Sequence, residues 1–275
     1  MKKPVVIRRV AHALGLGLWL TGGSAAMAAT CGNTAQGFEN WKAAFKHEAA
    51  AEGVGARGIQ ALEGARYATG TIAADRNQKS FRYSLEKFMQ VRGADTIVAQ
   101  GRKRRTRDAV FYDALERQYG VPAGVLIAIH GMETAFGGFM GDTSVVSAIV
   151  TLTYDCRRSD FFRPHAIGAL KLVDRGSITG QTKGARHGEL GHTQFLPGNA
   201  LRYGVDGNGD GRVDLYNLTD AMASTAHFLR QQGWHPGEGY AAGQPNFAVI
   251  EQWNAATVYQ QAIALMAARI VGSGS

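Results

Sequence analysis

One carboxylate closes an unusually apolar stretch. Glu133 lies in Ala128-Ile129-His130-Gly131-Met132-Glu133-Thr134-Ala135-Phe136-Gly137, and Val125, Ile127 and Ile129 open a helix that runs towards it. If Glu133 faces inward, poor solvation disfavours its charged form and raises its pKa, as a general acid near neutral pH requires. Gly131, Gly137 and Gly138 leave space beside it for a ligand. A Glu near a helix end can equally be solvated or salt-bridged, so its own surroundings leave both readings open.

A second group of residues has metal-binding spacing. The stretch Asp206-Gly207-Asn208-Gly209-Asp210-Gly211-Arg212-Val213-Asp214 follows the opening of an EF-hand loop. Oxygens of Asp206, Asn208, Asp210 and the Arg212 backbone, with Asp214 following, can surround one hard cation, and Gly211 permits the sharp turn. The bidentate Glu expected at the twelfth position is replaced by Asn217. A structural Ca2+ is expected, against the alternative of a metal-free Asp/Gly turn. His187 and His192 fit no common metal-ligand spacing. No motif points to an organic cofactor.

The N-terminus bears on where such chemistry takes place. Lys2, Lys3, Arg8 and Arg9 precede an apolar stretch over 10–20, followed by the small-residue run Ala25-Ala26-Met27-Ala28. This order predicts a secretory signal peptide over 1–28, cleaved after Ala28. The apolar stretch is shorter than the roughly 20 residues a membrane span needs, so the mature chain is not expected to span a membrane. Ala-Ala-Thr before Cys31 lacks the usual lead-in of a lipid-anchor site. The whole chain carries +8, and removing the four leader cations leaves 26 basic against 22 acidic residues, a net +4. That modest excess suits an acidic polymer without implying nucleic acid. The run Arg102-Lys103-Arg104-Arg105 is read as a solvated surface or a contact to an anionic glycan. Cys31 and Cys156 are the two cysteines, and in an oxidising compartment they are expected to pair. Two separate thiols remain the alternative, because sequence alone does not bring them within bonding distance.

The elements that must position these groups read as helices. Phe38, Trp41, Phe45 and Ala49 recur at helical spacing, as do Phe81, Leu85 and Phe88, and Phe111, Leu115 and Tyr119. Gly120-Val121-Pro122 stops the last of these before the apolar helix begins. Further helices are expected over 221–232 and about 255–270, with a loop over 237–243. Strand signals are few and short. The expected fold class is mainly α, without a linker long enough to force a second independent domain.

In chain order, further segments carry a resemblance. They are Asp75-Arg76-Asn77-Gln78; Tyr119-Gly120-Val121-Pro122 leading to Glu133-Thr134 and Phe136-Gly137; and Thr151-Leu152-Thr153-Tyr154-Asp155 before Arg157-Arg158 and Phe161-Phe162-Arg163. Gly188-Glu189-Leu190-Gly191-His192-Thr193-Gln194-Phe195-Leu196-Pro197, the stretch 220–234 and the stretch 254–259 complete the series. From Phe38 onward the chain resembles the lytic murein transglycosylase B family, of lysozyme-like fold. The resemblance implies one transglycosylase domain over 29–275, with a helical part over about 36–110 and a catalytic core over about 111–275. It implies peptidoglycan glycan strands as the periplasmic substrate. Glu133 would protonate the glycosidic oxygen between N-acetylmuramic acid and N-acetylglucosamine. It would then deprotonate the muramoyl 6-hydroxyl, closing a 1,6-anhydro ring. The sugar's own N-acetyl group would replace a second catalytic carboxylate. Substrate contacts would fall at Arg157, Arg158, Gln194, Phe195, Trp253, Asn254 and Tyr259. Arg157 and Arg158 suit bidentate carboxylate contacts, and a structural ion pair is the alternative for each. The family's loop closes with an Asp at the place of Asp220, which completes the calcium set.

The chain departs from the family at several positions. Ala185 stands where a Ser is usual, Glu189-Leu190 where Ala-Met is usual, Trp253 where Tyr is usual, and Phe228 where Tyr is common; His192 follows the second loop glycine. Each lost hydroxyl removes a hydrogen bond worth about 1 kcal/mol, enough to alter preference and seldom enough to abolish chemistry. Glu189 is read as a surface residue on a reshaped loop, with a second acid in the cleft as the alternative. The short connection after Trp234 leaves no room for a β-rich insertion found in some members, which predicts a more open cleft. An inactive glycan-binding relative and a lysozyme-like hydrolase remain alternatives to the transglycosylase.

Overall fold

The computed structural model describes residues 29–77 and 82–272. The expected signal segment, 1–28, and Gln78 of the 75–78 motif lie outside the described residues. In chain order the helices are α1 (Phe38–Ala51), α2 (Ala56–Glu63), α3 (Thr69–Arg76), α4 (Leu85–Arg92), α5 (Ala94–Arg107), α6 (Ala109–Tyr119) and α7 (Ala123–Thr134). They continue as α8 (Val145–Tyr154), α9 (Ser159–Arg175), α10 (Pro197–Tyr203), α11 (Leu218–Gln231), α12 (Phe247–Trp253) and α13 (Thr257–Val271). Two short strands, β1 (Thr143–Ser144) and β2 (Lys183–Gly184), pair antiparallel, with Thr143 opposite Gly184. The mainly helical expectation matches this architecture.

Helix α7 is the axis of the fold. Its apolar residues cover every face, the signature of a helix enclosed by others rather than lying on a surface. Residues Ala123 to Met132 are all buried, and α13 and α5 pack against them. Gly124 allows the closest approach: a Cβ there would stand 2.6 Å from the Ala267 carbonyl oxygen of α13. Full burial of each large side chain along this helix stabilises the fold by about 1.5–3 kcal/mol. The core therefore fixes the C-terminal turn of α7, where Glu133 sits.

A second unit forms around α8 and α9, which pack on each other and on α1, α2 and α10. Phe38, Trp41 and Phe45 of α1 line one face, with Trp41 stacked on Phe45 at 4.7 Å and Phe38 edge-on to Tyr154 at 5.5 Å. The chain ahead of α1 is held by a Cys31–Cys156 disulfide, by the Gly32 N–H donating to the Tyr154 carbonyl, and by the Tyr154 hydroxyl donating to the Thr34 carbonyl. The two cysteines thus pair, and the pair sits directly before Arg157-Arg158.

Observed limits follow the expected ones at α11 and α13. Helix α12 was not expected: it is a seven-residue helix inside the connection to α13. Helix α8 was also not foreseen, because Val145, Val146, Ile149 and Val150 are β-branched and carry no polar face to reveal a helical period. Burial on all sides accounts for both features of that sequence.

Candidate active site

The apolar axis ends in a locally unusual backbone. After Thr134, both Ala135 (φ 49°) and Phe136 (φ 64°) are left-handed, a conformation that non-glycine residues seldom adopt. Three contacts hold this turn. The Thr134 hydroxyl donates to the His192 carbonyl at 2.7 Å and accepts from the Gly137 N–H at 2.9 Å, and His130 Nε2 meets His192 Nδ1 at 3.1 Å. His130 is buried and its pKa is lowered to about 3, first by burial and then by His192. The pair is therefore a neutral hydrogen bond that ties α7 to the glycine-rich loop.

That loop is a tight reversal. Leu190 and Phe195 exchange N–H to carbonyl hydrogen bonds of 2.8 and 3.0 Å, and His192 N–H donates to the Leu215 carbonyl at 3.0 Å. Gly191 (φ 67°) brings the backbone so close to Leu215 that a Cβ would lie 2.0 Å from its carbonyl oxygen. Gln194 also takes a left-handed φ of 57°, and its side-chain amide donates to the Gly191 carbonyl at 2.7 Å. Strain at consecutive points beside one carboxylate is typical of positions held for function.

Glu133 opens onto a cleft of about 690 Å³ shared with Gln194, Phe195, Trp253, Asn254 and Tyr259. Its side chain is half-buried, and two neutral donors converge on one oxygen. The Tyr259 hydroxyl donates to Oε1 at 2.5 Å and Trp253 Nε1 donates to the same atom at 3.2 Å. Among the described residues no hydrogen bond reaches Oε2. Burial pushes the Glu133 carboxyl up to about 6. The two donors and the Arg92 charge oppose that rise, while Glu189 adds to it. Tyr259 is raised well above the usual phenol value by burial and by the Glu133 carboxylate, so its hydroxyl keeps its proton and serves as a donor. A carboxyl with one oxygen saturated by donors carries its own proton on the other. Oε2 is thus the oxygen equipped to deliver a proton.

The aromatic residues form a support. Phe195 is only 2% exposed and meets Trp253 edge-on at 5.0 Å, while Phe228 meets Trp253 at 5.3 Å. These two rings fix the indole that addresses Glu133. Asn254 accepts the Ala256 N–H through Oδ1 at 3.0 Å, a side-chain turn just ahead of α13.

The arginine pair is placed differently. Arg157 and Arg158 both bind the carboxylate of Asp75, whose side chain is 3% exposed, and Arg157 also donates to the Asp75 carbonyl at 3.0 Å. Arg76 binds Asp155 at 2.6 Å, so three ion pairs join α3 to the turn before α9. Arg158 lies on the cleft and stacks over Phe162 at 4.7 Å, whereas Arg157 is not part of the lining. The surface reading of Glu189 is corrected: it lines the cleft, accepts the His187 N–H at 3.1 Å, and its carboxyl is raised by burial. The tight Gly184-to-Gly191 turn folds it inward. Arg92 and Met132 also line the cleft, and sequence spacing gave no signal for either.

The 206–220 loop is closed by amide donors. Asp206 accepts from the N–H groups of Gly209, Asp210 and Gly211, and buried Asp220 accepts from Gly207, Asn208 and Asp214. Asp214 turns its own carboxylate to the Tyr216 N–H at 2.9 Å, Asp210 accepts the Arg212 N–H at 2.9 Å, and Asn208 accepts the Asp210 N–H at 2.9 Å. Among the described residues no three His, Cys, Asp or Glu side chains are grouped to hold a metal ion.

Residues 37–244 match the family model described as the transglycosylase SLT domain, about three quarters of the chain. The chain belongs to this family. It is 34% identical over 148 residues to the membrane-bound lytic murein transglycosylase B of Escherichia coli (strain K12); the match covers 50% of this chain and 41% of that relative. SltB3 from Pseudomonas aeruginosa, solved in complex with NAG-anhNAM-pentapeptide, is 27% identical with a TM-score of 0.77, over 87% of this chain and 81% of that one. A lytic transglycosylase of Escherichia coli, solved in complex with calcium, shares the fold at 20% identity and a TM-score of 0.74, over 90% and 97% of the two chains.

Proposed function

We propose that this chain is a lytic transglycosylase that cleaves the β-1,4 bond between N-acetylmuramic acid and N-acetylglucosamine in peptidoglycan. The observation that carries the reading is the state of Glu133: a carboxyl on the cleft wall raised to about 6, with both donors on Oε1 and none on Oε2 among the described residues. Family membership and the sugar–peptide ligands of the SltB3 complexes support the substrate class.

In this reading Oε2–H protonates the glycosidic oxygen, and the bond from that oxygen to the muramoyl C1 breaks. The neighbouring N-acetyl group supports the cationic C1. The Glu133 carboxylate left behind is stabilised by Tyr259 and Trp253, whose hydrogen bonds strengthen as charge develops on the carboxyl group. It then takes the proton of the C6 hydroxyl while that oxygen bonds to C1. The product is a 1,6-anhydromuramoyl end, Glu133 regains its proton, and no water is consumed. The expected periplasmic setting belongs to the same proposal, and among the described residues no helix is long and apolar enough to cross a membrane.

Glu189 favours one second reading. A second acid on the cleft wall can activate water, giving a lysozyme-like hydrolase. Mass spectrometry of digested, purified peptidoglycan separates the two. Anhydro ends are expected, reducing ends would establish hydrolysis, and an absence of any fragment would leave only a glycan-binding relative.

We further propose that the 206–220 loop takes a structural Ca2+ through the side chains of Asp206, Asn208 and Asp210 and the Arg212 carbonyl. Support comes from the oxygen spacing and from the exposure of Asn208 and Asp210. Asp220 would close the loop by its amide contacts. Adding 1 mM calcium to chelator-treated protein is expected to raise the melting temperature by several degrees. An unchanged melting curve would show a metal-free turn.

A further inference from the structure

The cationic groups of the cleft are not equivalent. Arg158 binds Asp75 and is faced by Glu189, so its charge is offset from two sides. Arg92, the last residue of α4, lines the same cleft, is exposed, and has no carboxylate partner among the described residues. Its charge acts on both Glu133 and Tyr259. Arg186 also lines the cleft and has no ion pair among the described residues, but its charge is not among those that act on Glu133. The Arg92 guanidinium lies 5.3 Å over the ring of Phe88, which is fully buried. That stacking restrains a long side chain in advance and lowers the entropic cost of using it.

We infer that Arg92 is the carboxylate anchor of the cleft, gripping an acidic group carried by the muramoyl residue on which Glu133 acts. The inference rests on the proposed peptidoglycan substrate. A muramoyl residue bears a lactyl ether beside the reacting carbon, and it offers a carboxylate in either of two forms. With the stem peptide removed, the lactyl carboxylate is free; with the peptide present, the acid lies further along the stem. A planar guanidinium without a protein partner matches either carboxylate by a forked pair of hydrogen bonds. Such an anchor would select anionic strands over neutral β-1,4 glycans and would orient the muramoyl residue before protonation.

The test is binding by Glu133→Gln protein, which should hold strands without cutting them. Three soluble glycans are compared: strands bearing stem peptides, strands freed of peptides, and strands whose carboxyls are converted to methylamides. Adding Arg92→Gln is expected to weaken binding about tenfold to at least one acidic class and less than twofold to the methylamide strands. The class that suffers identifies the stem or the lactyl carboxylate. Arg92→Lys should recover part of the loss. Arg117→Gln, which removes an exposed charge on α6 outside the cleft lining, should leave binding within twofold. Equal weakening on all three glycans, no weakening on any, or an equal loss from Arg117→Gln would overturn the anchor. Cleavage by the wild type is measured alongside. Absent cleavage with the Arg92 effect intact would refute the enzymatic reading alone, and cleavage without that effect would refute the anchor alone.

Discussion

Two acids, the buried Asp75 and the half-buried Glu133, are treated in opposite ways. Asp75 is matched by two guanidinium groups, and its neighbour Arg76 binds Asp155 in turn. Among the described residues Glu133 has no basic group in direct contact: it receives an O–H and an N–H on one oxygen, and burial raises it to about 6. Full ionic pairing makes a carboxylate permanent and useful as a fastener. Neutral donors in a poorly solvated site leave it able to gain and lose a proton, which is what acid/base work needs.

Exchanging each acid for its amide should separate these roles. Glu133→Gln is expected to cost about 10³-fold or more in turnover, within the span usual for a positioned acid. The same change should leave the fold intact. Because the folded pKa lies above the unfolded one, Glu133 opposes folding once the pH exceeds both, so the variant should be about 1–2 kcal/mol more stable at pH 7. Chemical denaturation beside a turnover assay checks both halves. A stability loss would place Glu133 with Asp75.

Asp75→Asn should show the reverse. It leaves Arg157 and Arg158 without their shared partner and should destabilise by about 2–3 kcal/mol, tempered by the partial exposure of both arginines. At a temperature where the variant stays folded, its kcat should remain within a few-fold of wild type. A kcat collapse without a stability change would move the arginine pair from bracing the fold to acting on substrate.

Smaller effects come from the groups that set the Glu133 proton. Removing a donor to its carboxylate raises its pKa. Tyr259→Phe should shift the basic limb of kcat/KM upward by about 0.5–1 pH unit, and Trp253→Phe by about half as much. Glu189→Gln removes a like charge and should shift it slightly downward. Trp253→Tyr should restore part of the donor. Rate losses with an unmoved limb would mean that these residues only pack.

Much of this was legible in the sequence, for identifiable reasons. The apolar run around Glu133 announced a buried helix, and Trp253 and Tyr259 followed from motif order, although their meeting on one carboxyl oxygen did not. The cysteine pairing followed from compartment and count. Glu189 was misjudged because a residue between two loop glycines carries no periodicity, and only the reversal from Gly184 to Gly191 sets its direction. Arg92 was silent because a lone Arg ending a short helix is a common surface feature. The two readings of Arg157 and Arg158 could not be divided in sequence, since the deciding partner, Asp75, lies about eighty residues earlier in the chain.

The pH dependence of kcat/KM on peptidoglycan strands tests the central assignment most directly. If Glu133 delivers the first proton from a site that holds its carboxyl near 6, kcat/KM should fall as the pH rises through about 6. That limb should move upward in Tyr259→Phe. A rate that rises through the same interval, or a limb indifferent to Tyr259, would contradict Glu133 as the general acid.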